Sequence, residues 1–199
     1  MIDAKLIDEK LLGKYESQDK SLAGRAKALL SEQKETWAMC AGGYKSLDSV
    51  KVKIFEFENC KIKVQFNPGR ITSSAAKVDP KSIKERKCFL CLKHLPEEQK
   101  GLRNGNDYIL LCNPFPIFPE HFTIPNVNHL QQAIGGKPFG DMLDLAREMA
   151  SRYTIFYNGP KCGASAPDHM HFQAGDSNFM DKVLVYTELY QNKGACLCS

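Results

Sequence analysis

The chain has 199 residues and a mass of 22.3 kDa, enough for one domain or one domain with an appendage. A composition of 43% hydrophobic and 25% charged residues is ordinary for a globular protein. The net charge of +4 is not gathered into a Lys/Arg block interleaved with aromatics, which argues against nucleic acid as a partner and fits an anionic small substrate.

Residues 1–20 are charged throughout and lack the apolar stretch of a signal peptide, and nowhere do 18 apolar residues run together. Eight cysteines in such a chain read as reduced thiols and metal ligands rather than a disulfide scaffold. The expectation is a cytoplasmic protein with no membrane partner.

Leu22, Ala26, Leu29, Leu30 and Trp37 recur at helical spacing, predicting an amphipathic helix over 17–39 that Ala41-Gly42-Gly43 ends. The alternating, Val/Ile/Phe-rich stretch 50–66 predicts a β-hairpin turning at Glu58-Asn59. Asn67-Pro68-Gly69-Arg70 breaks it, and a polar stretch follows to Lys87. Strands are expected at 108–113 and 121–125, separated by a Pro-punctuated segment, 114–119, that cannot be regular. Lys137-Pro138 opens a helix to about residue 152, with Phe139, Met142, Leu143, Leu145, Ala146 and Met149 as its buried stripe. A strand at 154–157, a Gly-rich loop, a strand through His169–Gln173 and a last strand at 182–189 complete the order. This order implies an α+β fold with a mainly antiparallel sheet and one long packed helix. Residues 1–87 form a helix-plus-hairpin extension continuous with a module at 88–199.

The most informative segment runs from Asn158 through Gly163-Ala164-Ser165 to His169-Met170-His171-Phe172-Gln173. On a strand, His169, His171 and Gln173 share one face, with neighbours roughly 7 Å apart, while Met170 and Phe172 enter a core. Two imidazoles and a carboxamide aimed at one spot make an active-site face.

Cys88-Phe89-Leu90-Cys91 admits several readings. Its flanks do not supply the strand and helix of a thioredoxin-like redox pair. Two buried unpaired thiols are one alternative, and half of a tetrahedral zinc site completed by imidazoles is the other. His129 and His169 lie in the same block, and His94 competes as a ligand.

These residues resemble the histidine triad superfamily, in the branch of galactose-1-phosphate uridylyltransferase and the dinucleoside-polyphosphate and GDP-hexose phosphorylases. That branch has Gln at the third triad position, as in His169-Met170-His171-Phe172-Gln173, after an Asn and a Gly/Ser-rich loop. Asn113-Pro114-Phe115-Pro116, Glu120-His121-Phe122-Thr123-Ile124-Pro125 and His129 are similar to its nucleotide-contacting strand and the strand after it, and Cys88 and Cys91 to its zinc pair. The resemblance covers about 88–174; the loop at Arg70 is only loosely similar to a phosphate-binding arginine loop.

The resemblance implies a HIT-like fold and a nucleotidyltransferase or phosphorylase acting on a nucleotide sugar or dinucleoside polyphosphate. His171 would be the nucleophile and Gln173 would hold a phosphate oxygen. Asn158, Lys161, Gly163, Ser165 and Arg70 would hold phosphate, and Asn113 and Phe115 would lie near the nucleoside. Structural zinc would sit on Cys88, Cys91, His129 and His169. The acceptor would be phosphate or a sugar phosphate, and a homodimer is compatible with the family. A nucleotide hydrolase of the same superfamily and a zinc-stabilised, non-catalytic nucleotide-binding module are the alternatives. Members often carry a second copy of the fold, whereas 26 residues follow Gln173 here, which fits a single module or a truncated chain.

Overall fold

The computed structural model describes residues 6–7, 19–58, 60–70, 78–162 and 164–179. Its elements in chain order are β1 (Leu6–Ile7), α1 (Leu22–Thr36), α2 (Ala38–Lys45), β2 (Lys51–Phe57), β3 (Cys60–Phe66), α3 (Pro80–Glu85), β4 (Gly101–Asn104), β5 (Tyr108–Cys112), β6 (His121–Pro125), α4 (Lys137–Met149), β7 (Tyr153–Phe156) and β8 (His171–Asp176). Six strands form one sheet in the order β1-β4-β5-β6-β8-β7, antiparallel except for the β1–β4 pair. β2 and β3 form a separate hairpin. The fold is α+β with a mainly antiparallel sheet, as the order of predicted elements implies.

Alternation along the strands gives the sheet two different faces. Leu110, Phe122, Ile124, Phe172 and Ala174 point to one side and share a core with Ala26, Leu29, Trp37 and Tyr44 of the N-terminal helices and with Leu145 and Met149 of α4. At about 25 cal/mol per Å² of apolar surface, this joint burial is the main attraction between the N-terminal helices and the sheet. The register pairs Thr123 with Gln173, Pro125 with His171 and Phe156 with Gln173, so these residues share the opposite face. Ile109 and Leu111 on that side pack with Leu95 beneath the segment that follows the cysteine pair.

Several boundaries differ from the sequence reading. The N-terminal helix breaks at Trp37, whose extended backbone separates α1 from α2 while its side chain stays in the core. The glycine pair does not end the helix: Gly42 and Gly43 lie inside α2. Gly43 is needed there because a Cβ would collide with the carbonyl of Pro114, so its bareness lets α2 meet the Pro-rich loop. The expected stripe of α4 is narrower than its composition: Leu145 and Met149 are buried, whereas Phe139 and Leu143 are each about half exposed at 49%. A helix lying on a sheet buries only its inner line, so Met142 is covered in part and Phe139 and Leu143 lie outside it.

Two short elements, β4 and α3, lie where no regular structure is expected from sequence. Asp79 caps α3 by accepting the Ser82 N–H at 3.0 Å, with Pro80 at its first position. The hairpin follows the prediction closely, with Asn59 of its turn outside the described residues. The final strand expected at 182–189 also lies outside them. The His strand begins two residues late, at His171, leaving His169 in the preceding turn. Among the described residues, no helix is long and apolar enough to cross a membrane.

Candidate active site and metal centre

β8 carries His171 and Gln173 on the face away from the helix core, while Met170 and Phe172 are buried in it. The ring of His171 is held by its own turn, with Nδ1 2.8 Å from the backbone oxygen of His169. A carbonyl oxygen only accepts, so Nδ1 carries the proton and Nε2 keeps its lone pair. Burial holds the His171 pKa below the usual histidine value, against the opposing pull of that hydrogen bond, so the ring is neutral at pH 7. A neutral imidazole with a bare Nε2 is a nucleophile that needs no separate base.

Gln132, which the sequence reading passes over, fixes the backbone at this point. β7 stops pairing at Phe156–Gln173, and continuing that register by two residues would set Asn158 opposite His171. The buried Gln132 side chain fills the gap. Its Oε1 accepts the His171 N–H at 2.7 Å, and its Nε2 donates to the carbonyls of Asn158 and His171 at 2.9 and 3.1 Å. One carboxamide thus replaces the missing rung of the ladder. No local pattern marks such a residue, because its role depends on strands that diverge 25 residues or more downstream.

Gln173 meets His121 of β6, whose Nε2 lies 2.9 Å from its Oε1. His121 is wholly buried, and burial, with a smaller push from the nearby Arg70 guanidinium, lowers its pKa to about 4. Arg70 arrives from the turn after β3. That hairpin docks through Gln65 Nε2 on the Ile117 carbonyl at 3.2 Å and Asn67 Nδ2 on the Pro116 carbonyl at 3.3 Å. Among the described residues, Nη1 of Arg70 is buried with no hydrogen-bond partner, and burial pulls the pKa of the group down. A buried guanidinium N–H with nothing to donate to is suited to an anion.

The other expected contacts are scattered. Asn113 spends its side chain locally, donating from Nδ2 to Thr123 Oγ1 at 3.1 Å and accepting the Phe115 N–H at 2.9 Å. Phe115 is half-buried beside it, and Lys161 is exposed. Asn158 meets Gln132 through its backbone oxygen. Ser165 sits in the loop leading to His169, half-buried, and Gly163 lies outside the described residues.

Beside His171, four side chains converge whose ligand atoms all lie within 4.8 Å of one another: Cys88, Cys91, His129 and His169. Nδ1 of His169 is 3.3 Å from Cys88 Sγ and 3.6 Å from Cys91 Sγ, and Nδ1 of His129 is 3.1 Å from Cys91 Sγ. A tetrahedral ion with bonds of about 2.0 Å to nitrogen and 2.3 Å to sulfur sets its ligand atoms roughly 3.3–3.8 Å apart, close to these spacings. The outer partners fit as well. Nε2 of His169 donates to the Asn126 carbonyl at 2.8 Å, which leaves Nδ1 with its lone pair toward the cysteines. Nε2 of His129 faces Asp168 Oδ2 at 3.8 Å, and Asp168 is held by Arg86 at 2.6 Å. The cluster can hold a metal ion. His94 is outside it, its Nδ1 lying 2.9 Å from the Cys88 carbonyl.

Residues 29–176 match the model of a family described as "Domain of unknown function (DUF4922)". The chain belongs to that family. No curated protein matches it. Among solved structures, it is similar to yeast Ap4A phosphorylase in complex with AMP, at 21% identity and a TM-score of 0.47, over 75% of this chain and 48% of that one. The same enzyme in complex with Ap4A gives 21% identity and a TM-score of 0.46, over 76% and 51%. A HIT family hydrolase from Clostridium thermocellum gives 17% identity and a TM-score of 0.34, over 45% and 87%. The chain therefore spans about half the length of the yeast phosphorylase.

Proposed function

We propose that this chain is a nucleotidyltransferase or phosphorylase that passes a nucleotidyl group through His171. The observation that carries this reading is the hydrogen bond of His171 Nδ1 to the His169 carbonyl, which commits the proton to one nitrogen and leaves the other as a fixed nucleophile. In the first step Nε2 attacks the α-phosphorus of a nucleotide sugar or dinucleoside polyphosphate. A P–N bond forms, the P–O bond to the leaving group breaks, and the electron pair departs on a phosphate oxygen. The ring gains positive charge, which the Nδ1–H bond to the carbonyl stabilises. In the second step an oxygen of phosphate or a sugar phosphate attacks phosphorus and the P–N electrons return to Nε2.

Gln173 favours such anionic partners. A carboxamide has no proton to release, so it suits a leaving group that departs as a stable anion and serves hydrolysis of poorer leaving groups badly. Nη1 of Arg70, buried and without a partner among the described residues, supports an anion site beside it. Asn158, Lys161, Gly163 and Ser165 are assigned to the phosphates, and Asn113 and Phe115 to the neighbourhood of the nucleoside.

We assign structural zinc to Cys88, Cys91, His129 and His169, because two thiolates and two imidazoles in a tetrahedral spacing are the donor set this ion prefers. Burial and the adjacent Cys88 raise the Cys91 thiol to about 11, and bound zinc would supply the positive charge that favours its thiolate. The chain's own contribution is positional. His169 is both a ligand and the residue whose carbonyl orients the His171 ring.

Incubation with a panel of nucleoside diphosphate sugars and dinucleoside polyphosphates, with and without inorganic phosphate, tests the reading. Donor alone should leave an acid-labile nucleotidyl group on His171, and phosphate should discharge it. His171→Ala should lose turnover and keep its fold and metal. An adduct on another residue, or near-full activity in that variant, refutes the mechanism.

A further inference from the structure

A carboxamide can offer a substrate either its oxygen or its NH2, and only the NH2 attracts a phosphoryl oxygen. Something must decide which end of Gln173 faces the site. We propose that His121 is a positioning residue that turns the Gln173 carboxamide so that its NH2 faces the phosphoryl group. This deepens the nucleotidyl-transfer reading and rests on it for its catalytic consequence.

The orientation follows from a relay of donors that begins in the backbone. The Ile117 N–H donates to Nδ1 of His121 at 3.2 Å. An amide N–H can only donate, so Nδ1 holds a lone pair and, in the neutral ring, Nε2 holds the hydrogen. That N–H meets Gln173 Oε1 at 2.9 Å. With the carboxamide flipped, its NH2 would face the Nε2–H, donor against donor. The oxygen is therefore committed to His121 and the two amide hydrogens are turned away from it. Burial keeps the ring neutral across the physiological range, so the relay does not reverse with pH.

The ring itself is clamped. Its backbone is pinned by the Tyr44 hydroxyl, which donates to the His121 carbonyl at 2.8 Å and accepts the His121 backbone N–H at 3.2 Å. Phe118 stands edge-on at 5.1 Å between centroids, and Phe156 lies nearly parallel at 6.3 Å. Gly175, paired with His121 across β6 and β8, leaves room for the Phe118 ring, which a Cβ there would approach to 2.5 Å. These neighbours hold the buried ring against Gln173.

The relay can be read in uniformly ¹⁵N-labelled full-length protein without any substrate. Long-range imidazole spectra of the wild type should show His121 neutral and protonated on Nε2; protonation on Nδ1 overturns the proposal, and this measurement needs no variant to fold. The side-chain amide pair of Gln173, identified by its loss in Gln173→Ala, should shift in His121→Leu and return towards its original position in His121→Gln, which restores an N–H donor near Nε2. Unmoved Gln173 signals in a folded His121→Leu overturn it as well. With a donor that labels His171, His121→Leu should lower kcat about 10–100-fold, the cost of a misplaced oxyanion donor, with KM little changed, and His121→Gln should recover most of it. The His121→Leu/Gln173→Ala double variant should be no slower than Gln173→Ala alone, and an additive loss contradicts an action through Gln173. If no donor labels the wild type, the nucleotidyl-transfer reading fails, and the spectra still decide the relay.

Discussion

Replacing Gln132 with Leu isolates the rung that holds the His171 backbone. Leucine has a similar size, so the chief loss is polar: one bond at 2.7 Å to the His171 N–H and two, at 2.9 and 3.1 Å, to the Asn158 and His171 carbonyls. Gln132 is 1% exposed and His171 5%, so water has little access to replace these partners. An unpaired buried N–H costs about 1–3 kcal/mol and each lost hydrogen bond about 1 kcal/mol, so the substitution should destabilise by about 3 kcal/mol. For a chain of this length that is a fall of about 6–12 °C in Tm. Thermal unfolding gives the total, and hydrogen exchange at the His171 amide locates it, since that proton should lose protection well beyond its neighbours in β8. A Tm within about 2 °C of wild type, with the His171 amide still protected, would show that the ladder closes without Gln132 and refute the reasoning.

The metal cluster predicts that purified protein carries one zinc per chain by elemental analysis; Cys88→Ser should lose it and unfold more readily, whereas His94→Ala should retain it, because His94 faces a carbonyl outside the cluster. His121 predicts an acid-sensitive fold. Its folded pKa of about 4 is below the unfolded value, so its contribution is complete above about pH 6.5 and falls away as pH drops towards 4, a loss of about 3 kcal/mol. Urea midpoints measured across that window should fall with pH, and His121→Gln should flatten the slope; an unchanged slope assigns the acid sensitivity elsewhere. Gly175→Ala should destabilise by about 1–3 kcal/mol, because the new methyl displaces Phe118 from beside His121, and the effect should shrink in a Phe118→Leu background, as denaturant unfolding can check.

The parts of this protein legible in sequence are those set by neighbours along the chain. Alternation through His171-Phe172-Gln173-Ala174 announced which side chains face the core and which the site, because a strand turns successive residues to opposite faces. The spacing of Cys88 and Cys91 announced that both thiols can point to one spot, since only two residues separate them, and left open what they do there. Even there, the boundary of β8 was misplaced: His169 lies in a turn, where its imidazole can reach the cysteines while its carbonyl holds the next histidine. The exposed half of α4 was overread for a related reason. Apolar spacing marks a stripe that could be buried, but only the surface packed against it decides how much of the stripe is covered.

The rest depended on contacts between distant segments. Gln132 reads as one polar residue in a loop until β7 and β8 diverge around it. His121, 52 residues before Gln173, and Arg70, in a turn 51 residues earlier still, meet the same site through strand pairing and the docking of a hairpin. Sequence alone determined the chemistry on offer: an alternating strand bearing His and Gln, and two cysteines three positions apart. Only the tertiary structure decided which nitrogen keeps its lone pair and which end of a carboxamide is committed. Those choices are made by hydrogen-bond partners, and a partner is defined by proximity in space, which the order of residues does not state.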